Sequence, residues 1–202
     1  MITSSPTLAD MNFSCHFEDP RCLHLLEKKI HGLISTMNVD FSRDLVYLCV
    51  GTDRATGDCL GPLVGTRLQS LFPALNLYGT LEAPSHAINL HLVLDKIAAR
   101  FANPLIIAVD ASLGDVDRIG YINVRPVGLK PGTALNKVLP MVGDFHISAV
   151  VNVGGYLEQM VLQNTRLYGV YMMSEIIARS LYLAHLRHIA DRNREQLTTV
   201  TN

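Results

Sequence analysis

The sequence predicts an α/β protein, a three-layer α/β/α sandwich on a mostly parallel sheet. Three observations point there. Apolar, β-rich runs alternate along the chain with segments of helical periodicity. One of those runs, Leu105 to Val109, carries no polar residue, as expected of a strand buried on both faces. Mean hydropathy is +0.23, and 49% of the 202 residues are hydrophobic. That balance suits one compact core with several doubly covered strands.

Residues 1 to 19 read as polar and irregular. Pro20 to Ser35 reads as a helix, with Leu23, Leu26, Ile30 and Leu33 at helical spacing. Ser42 to Val50 is the first core strand. Asp58 to Phe72 is the first core helix, and Pro73 stops it. Asn76 to Leu81 is a short strand. The Pro84-Ser85 break opens a helix from His86 to Phe101, with Leu90, Leu94, Ile97 and Ala98 as its buried stripe. Leu105 to Val109 is the central strand and Gly120 to Val127 another; Gly128 to Gly132 is a loop. Ile147 to Val153 has strong β propensity and stops at Gly154-Gly155. Tyr156 to Asn164 reads as a helix, Arg166 to Met172 as a strand, and Ser174 to Arg194 as a long helix. The resulting organisation is an N-terminal extension with one helix over residues 1–40, a single α/β/α domain over 41–195, and a frayed polar tail over 196–202.

Bulk properties exclude some functions. Net charge is −1 and pI is near 6.7, so no broad basic surface is implied and nucleic acid is not an expected partner. No run approaches the ~18 apolar residues of a membrane span. The first residues lack a basic start followed by an apolar block, so a cytoplasmic location is expected. Cys15, Cys22, Cys49 and Cys59 are not spaced as a disulfide framework. Cys15, His16, Cys22 and His24 lack the tight pairing of a structural zinc site. The apolar balance makes a homodimer reasonable.

Chemistry concentrates where strands end. The run Leu45 to Val50 breaks at Gly51 into a loop carrying Asp53, Arg54 and Asp58, and the central strand ends on Asp110. Right-handed crossovers place both strand ends on one edge of the sheet, where α/β proteins collect ligands and catalytic groups. Paired acids there suit general acid–base hydrolysis. Each acid also has a plain structural reading: Asp58 as a helix cap or dipole partner, Asp110 as the cap of the next turn. Asp53 and Arg54 could pair locally, or Arg54 could hold a substrate carbonyl or carboxylate. Glu82, at the end of the second short strand, is expected to face the site. His86 suits a ligand, base or substrate contact, against a structural role at its helix start. His86 and His91, five residues apart, do not share a helix face. His146 is a further candidate near a loop. Asn152 and Gly154-Gly155 could donate to an oxyanion, or the glycines serve only a tight turn. His185 and His188 are read as facing solvent or a helix partner. There is no GxGxxG, P-loop or GxSxG, and Asp58 beside Cys59 opposes a thiolate.

The blocks GTDRATGDCLGPLVGT, YGTLEAPSHAINL, AVDASLG, LPMVGDFHI and VVNVGGYLEQMVLQNTRL extend from about Val46 to Met173. On these blocks the chain resembles the YyaC-like sporulation proteins, often called spore proteases. More distantly that family is similar to the spore germination protease and the hydrogenase maturation endopeptidases. The resemblance implies a phosphorylase/hydrolase-like, peptidase-like α/β/α fold. It also implies an active centre of two acids, with Asp58 in GDCLGP and Asp110 in VDASLG at the matching positions. The family usually has a residue other than histidine at His146, so the maturation enzymes' histidine ligand is not carried over to it. No cue of a self-cleaved propeptide is present.

The expectation is therefore a cytoplasmic endopeptidase of the spore or forespore that acts on protein or peptide substrates during sporulation or germination. Asp58 and Asp110 would be catalytic, and Asp53, Arg54, Glu82, His86 and Asn152 would bind substrate. No resident cofactor is expected. One alternative sets a divalent metal on Asp58, Asp110 and His86. Another keeps the same sheet edge as a peptide- or partner-binding surface without cleavage.

Overall fold

The computed structural model describes residues 12–130 and 141–200. The chain runs β1 (Phe13–His16), α1 (Cys22–Met37), β2 (Leu45–Cys49), α2 (Leu60–Leu71), β3 (Asn76–Tyr78), α3 (Leu90–Arg100), β4 (Leu105–Gly114), β5 (Tyr121–Arg125), β6 (Phe145–Val153), α4 (Glu158–Gln163) and α5 (Leu167–Val200). The six strands form one mixed sheet in the order β1-β5-β6-β4-β2-β3. Strands β3, β2, β4 and β6 are parallel neighbours. Strands β5 and β1 add on antiparallel. The α/β/α sandwich with a mostly parallel sheet is the observed architecture.

Alternation along the strands decides which helices cover which face. Leu45, Tyr47 and Cys49 of β2, Leu105, Ile107 and Val109 of β4, and Phe145, Ile147 and Ala149 of β6 point to one side. They pack there with apolar residues of α1, α2 and α5 in the main core. The intervening residues face the other side. Leu48 and Ala108 meet Leu90 of α3, and Val46 meets Ile97. Over β1, β5 and the end of β6 this second face is polar: Ser14 is exposed, and Asn123 and Ser148 are partly so.

Four expectations need correction. The stretch from 1 to 19 is not irregular throughout, because Phe13–His16 pairs with β5 as an edge strand; residues 1–11 lie outside the described residues. Arg166 to Met172 is not a strand. From Leu167 it is the first turns of α5, because Val170, Met173, Ile177, Ala178 and Leu181 form one buried helical stripe that overrides local β propensity. The tail continues as helix to Val200. His188 is 5% exposed and stacks near Phe41, while His185 Nδ1 lies 2.8 Å from the Tyr47 hydroxyl. The solvent alternative is thus overturned for both: they lie on the side of α5 that packs against α1, α2 and the sheet. Part of the loop expected at Gly128–Gly132 lies outside the described residues, though Leu129 bridges to Val142.

Candidate active site

Strand β2 ends at Cys49, whereas β4 continues to Gly114 against β6. Asp110 is thus inside β4 rather than at its end. It is level with Val50, whose N–H donates to the Val109 carbonyl at 2.7 Å. Its side chain is on the face opposite Val109, where the sheet is no longer covered by β2 and α3. The break after β2 turns through Gly51, at φ +137°, where a Cβ would overlap the Asp58 carbonyl. The Thr52 N–H donates to that carbonyl at 3.1 Å and closes the loop. A 3-10 turn, Gly57–Cys59, then presents Asp58 ahead of α2. A Cβ on Gly61 would overlap the Val50 carbonyl, so glycine lets the helix start lie directly against the strand end.

Asp58 makes no capping hydrogen bond for either the 3-10 turn or α2. It and Asp110 line the same cleft of ≈ 670 Å³, together with Arg54, His86, His146 and Ser148. Burial pushes the Asp58 carboxyl up to about 6 from its ordinary 3.8, with the Thr52 amide opposing. Burial raises Asp110 well above its ordinary value, and the charge of Asp58 raises it further. One Asp110 oxygen, Oδ1, accepts the Ala111 N–H at 2.8 Å, which offsets this in part. The charge of Asp58 is therefore felt at Asp110 across the cleft.

The remaining candidates divide. Arg54 is on the rim of the cleft, in no ion pair among the described residues. His86 lines it too, and its Nδ1 accepts the Ile88 N–H at 3.3 Å. Asp53 and Glu82 are exposed and outside the lining. Asn152 is also outside it. Its Oδ1 accepts the Val153 N–H, and its Nδ2 donates to the Thr165 hydroxyl at 3.2 Å. The Cys59 thiol donates to the Thr56 carbonyl at 2.9 Å, and burial raises its pKa. The sequence reading passed over Ser148, Lys130 and Glu158, all of which line the cleft. For Ser148 a signal was present: in Phe145–Ala149 the polar residues alternate with apolar ones, marking a strand with one wet face.

His146 is half-buried. Its Nδ1 lies 2.8 Å from the Val127 carbonyl, which can only accept, so Nδ1 carries the hydrogen. Burial lowers its pKa and keeps the ring neutral. Among the described residues, no three His, Cys, Asp or Glu side chains are arranged to hold a metal ion. Asp58, Asp110 and His86 do not form such a set.

Fold and site together define an α/β protein with two partly buried acids in a cleft at the carboxyl edge of its sheet. The chain belongs to the family described as "Protein of unknown function (DUF1256)", which it matches over residues 15–180. It is 44% identical over 152 residues to "Uncharacterized protein YyaC" of Bacillus subtilis (strain 168), spanning 75% of this chain and 74% of that protein. Among solved structures it is similar to a NiFe hydrogenase maturation protease, HycI, from Thermococcus kodakarensis KOD1. That likeness has a TM-score of 0.45 at 19% identity, and covers 73% of this chain and 99% of the other. Among the described residues no helix is long and apolar enough to cross a membrane.

Proposed function

We propose that the chain is an endopeptidase that hydrolyses protein substrates with the Asp58–Asp110 pair. The observation that carries this reading is the pair itself: two acids from separate elements, lining one cleft and raised in pKa by desolvation. Asp110, raised by burial and further by the charge of Asp58, is the acid that keeps its proton once Asp58 has ionised. Ionised Asp58 takes a proton from water as the water oxygen bonds to the scissile carbonyl carbon. Asp110 delivers its proton to the amide nitrogen as the C–N bond breaks. Arg54 and His86, on the cleft wall, would contact the polypeptide on either side of the scissile bond. The resemblance to spore proteins supports a setting in sporulation or germination.

The test uses the full-length protein on a denatured extract of sporulating cells, with new N-termini read by mass spectrometry. The wild type is expected to generate a defined set of termini that Asp58→Asn and Asp110→Asn each reduce by about 10³-fold or more. No new termini, or the same termini from both variants, would overturn the reading and leave a binding role for the cleft.

A further inference from the structure

The wet face of the sheet carries a row of polar side chains at one level. The β4–β6 register pairs Asp110 with Ser148. The β5–β6 register pairs Ser148 with Asn123. The β1–β5 register pairs Asn123 with Ser14. Residues paired across neighbouring strands project from the same face, with their side chains adjacent. Asp110, Ser148, Asn123 and Ser14 thus form a continuous line from the cleft to the edge of the sheet.

Hydrogen bonding at the edge gives the line a direction. Arg118 stacks on the Tyr121 ring with its guanidinium carbon 3.8 Å from the centroid, and its Nη2 donates to the Ser14 hydroxyl at 2.6 Å. An arginine can only donate, so the Ser14 oxygen accepts and its hydrogen is free to go onward. It goes to Asn123 Oδ1 at 2.8 Å. With Oδ1 taken, the Asn123 amide has only Nδ2, a donor that makes no hydrogen bond among the described residues, left for its other neighbour in the register. That neighbour is Ser148, whose hydroxyl has no protein partner among the described residues and which lines the cleft. A Ser148 oxygen that accepts from Asn123 turns its hydrogen toward Asp110. On Asp110, Oδ1 holds the Ala111 N–H and the second oxygen has no protein partner.

We infer that Ser148 is a positioning residue of the acid pair: oriented by the chain Arg118–Ser14–Asn123, it donates its hydroxyl hydrogen to the free oxygen of ionised Asp110. The inference rests on the paired-acid reading above and gives that reading a missing part. Asp110 must release its proton to the leaving amide in each cycle, and a desolvated carboxylate with the Ala111 amide as its one donor would resist doing so. The chain supplies one fixed donor at that moment, and its far end is a cation that cannot reverse it.

The test is a carboxyl titration by ¹³C NMR of the full-length protein labelled at aspartate. Ser148→Ala should raise the Asp110 midpoint by about one pH unit, a tenfold gain in proton affinity, while Asp58 moves much less. Ser148→Thr should restore the wild-type midpoint. Asn123→Leu, two strands from Asp110, should raise it in the same direction by a smaller amount. That variant also reads the chain if Ser148→Ala does not fold. An Asp110 midpoint unchanged in both Ser148→Ala and Asn123→Leu overturns the role of Ser148. If instead neither acid of the wild type titrates above the ordinary carboxylate range, the paired-acid reading itself fails and the positioning role fails with it.

Discussion

The two faces of this sheet come from the same strands and differ by one residue of phase. On β4, Val109 is fully buried against the helices of the main core and Asp110 opens into the cleft. On β6, Ile147 and Ala149 are fully buried while His146 and Ser148 line the cleft. On β5, Ile122 and Val124 are buried on either side of the partly exposed Asn123. Three helices close the first face; the second is covered by α3 and the Leu129–Val142 bridge and opens beyond them. The difference teaches where stability and chemistry are kept apart. Period-two alternation lets each strand contribute to a dry core and a functional face at once.

The largest break of the comparison should be in activity. Asp110→Asn is expected to lower cleavage by about 10³-fold or more. The neighbouring Val109→Ala, pointing the other way, should leave kcat within a few-fold while lowering stability by about 1–2 kcal/mol. Steady-state assays and urea unfolding on the same preparations would separate the two.

Stability should show the reverse order. Ile147→Ala removes a fully buried side chain from the closed face and is expected to cost about 3 kcal/mol. Ser148→Ala, one residue along, should change unfolding free energy by less than about 0.5 kcal/mol. Equal losses at both positions would mean that the wet face also holds the fold together.

The faces should also respond to pH with opposite sign. The acids of the cleft have raised pKa values, so the native state keeps protons that the unfolded chain has released. Stability from this source falls as pH rises from about 4 through about 6, and further for Asp110. Asp110→Asn should therefore be more thermostable than wild type at pH 8 and similar at pH 4, an inactive but firmer protein. On the closed face, burial holds the His185 imidazole at about 4, with His188 and Arg192 adding repulsion. Here the unfolded chain binds the proton first, so stability falls as pH drops from about 6.5 toward 4. His185→Asn should flatten this acid limb. Thermal unfolding midpoints of the three proteins from pH 4 to 8 would check both limbs. An Asp110→Asn curve parallel to wild type at all pH values would contradict the alkaline limb.

Much of this arrangement was legible in the sequence. The uninterrupted run before Asp110 marked a central strand, and the glycine break after Val50 marked the loop carrying Asp58. Their common edge followed from crossover handedness. What escaped was set by long-range pairing. Phe13–His16 becomes a strand only because β5 offers an edge. The stretch from Arg166 to Met172 looks β-like over its seven residues and helical only when Val170, Met173 and Ile177 are read on into the rest of α5. Asn152 looks like an oxyanion donor until Thr165 takes its amide. Ser148 could be seen as a wet-face residue, but its place beside Asp110 depends on the register of β4 and β6, which no local pattern encodes.

The claim that Asp58 and Asp110 form one functional unit is tested most directly by following the Asp110 titration in Asp58→Asn. Asn keeps the shape of Asp58 and removes its charge, which is one of the two causes raising Asp110. The account predicts that the Asp110 midpoint falls in this variant yet stays above the ordinary carboxylate range, since burial remains. A midpoint identical to wild type would contradict the pair, because the two carboxyls would then titrate without sensing each other.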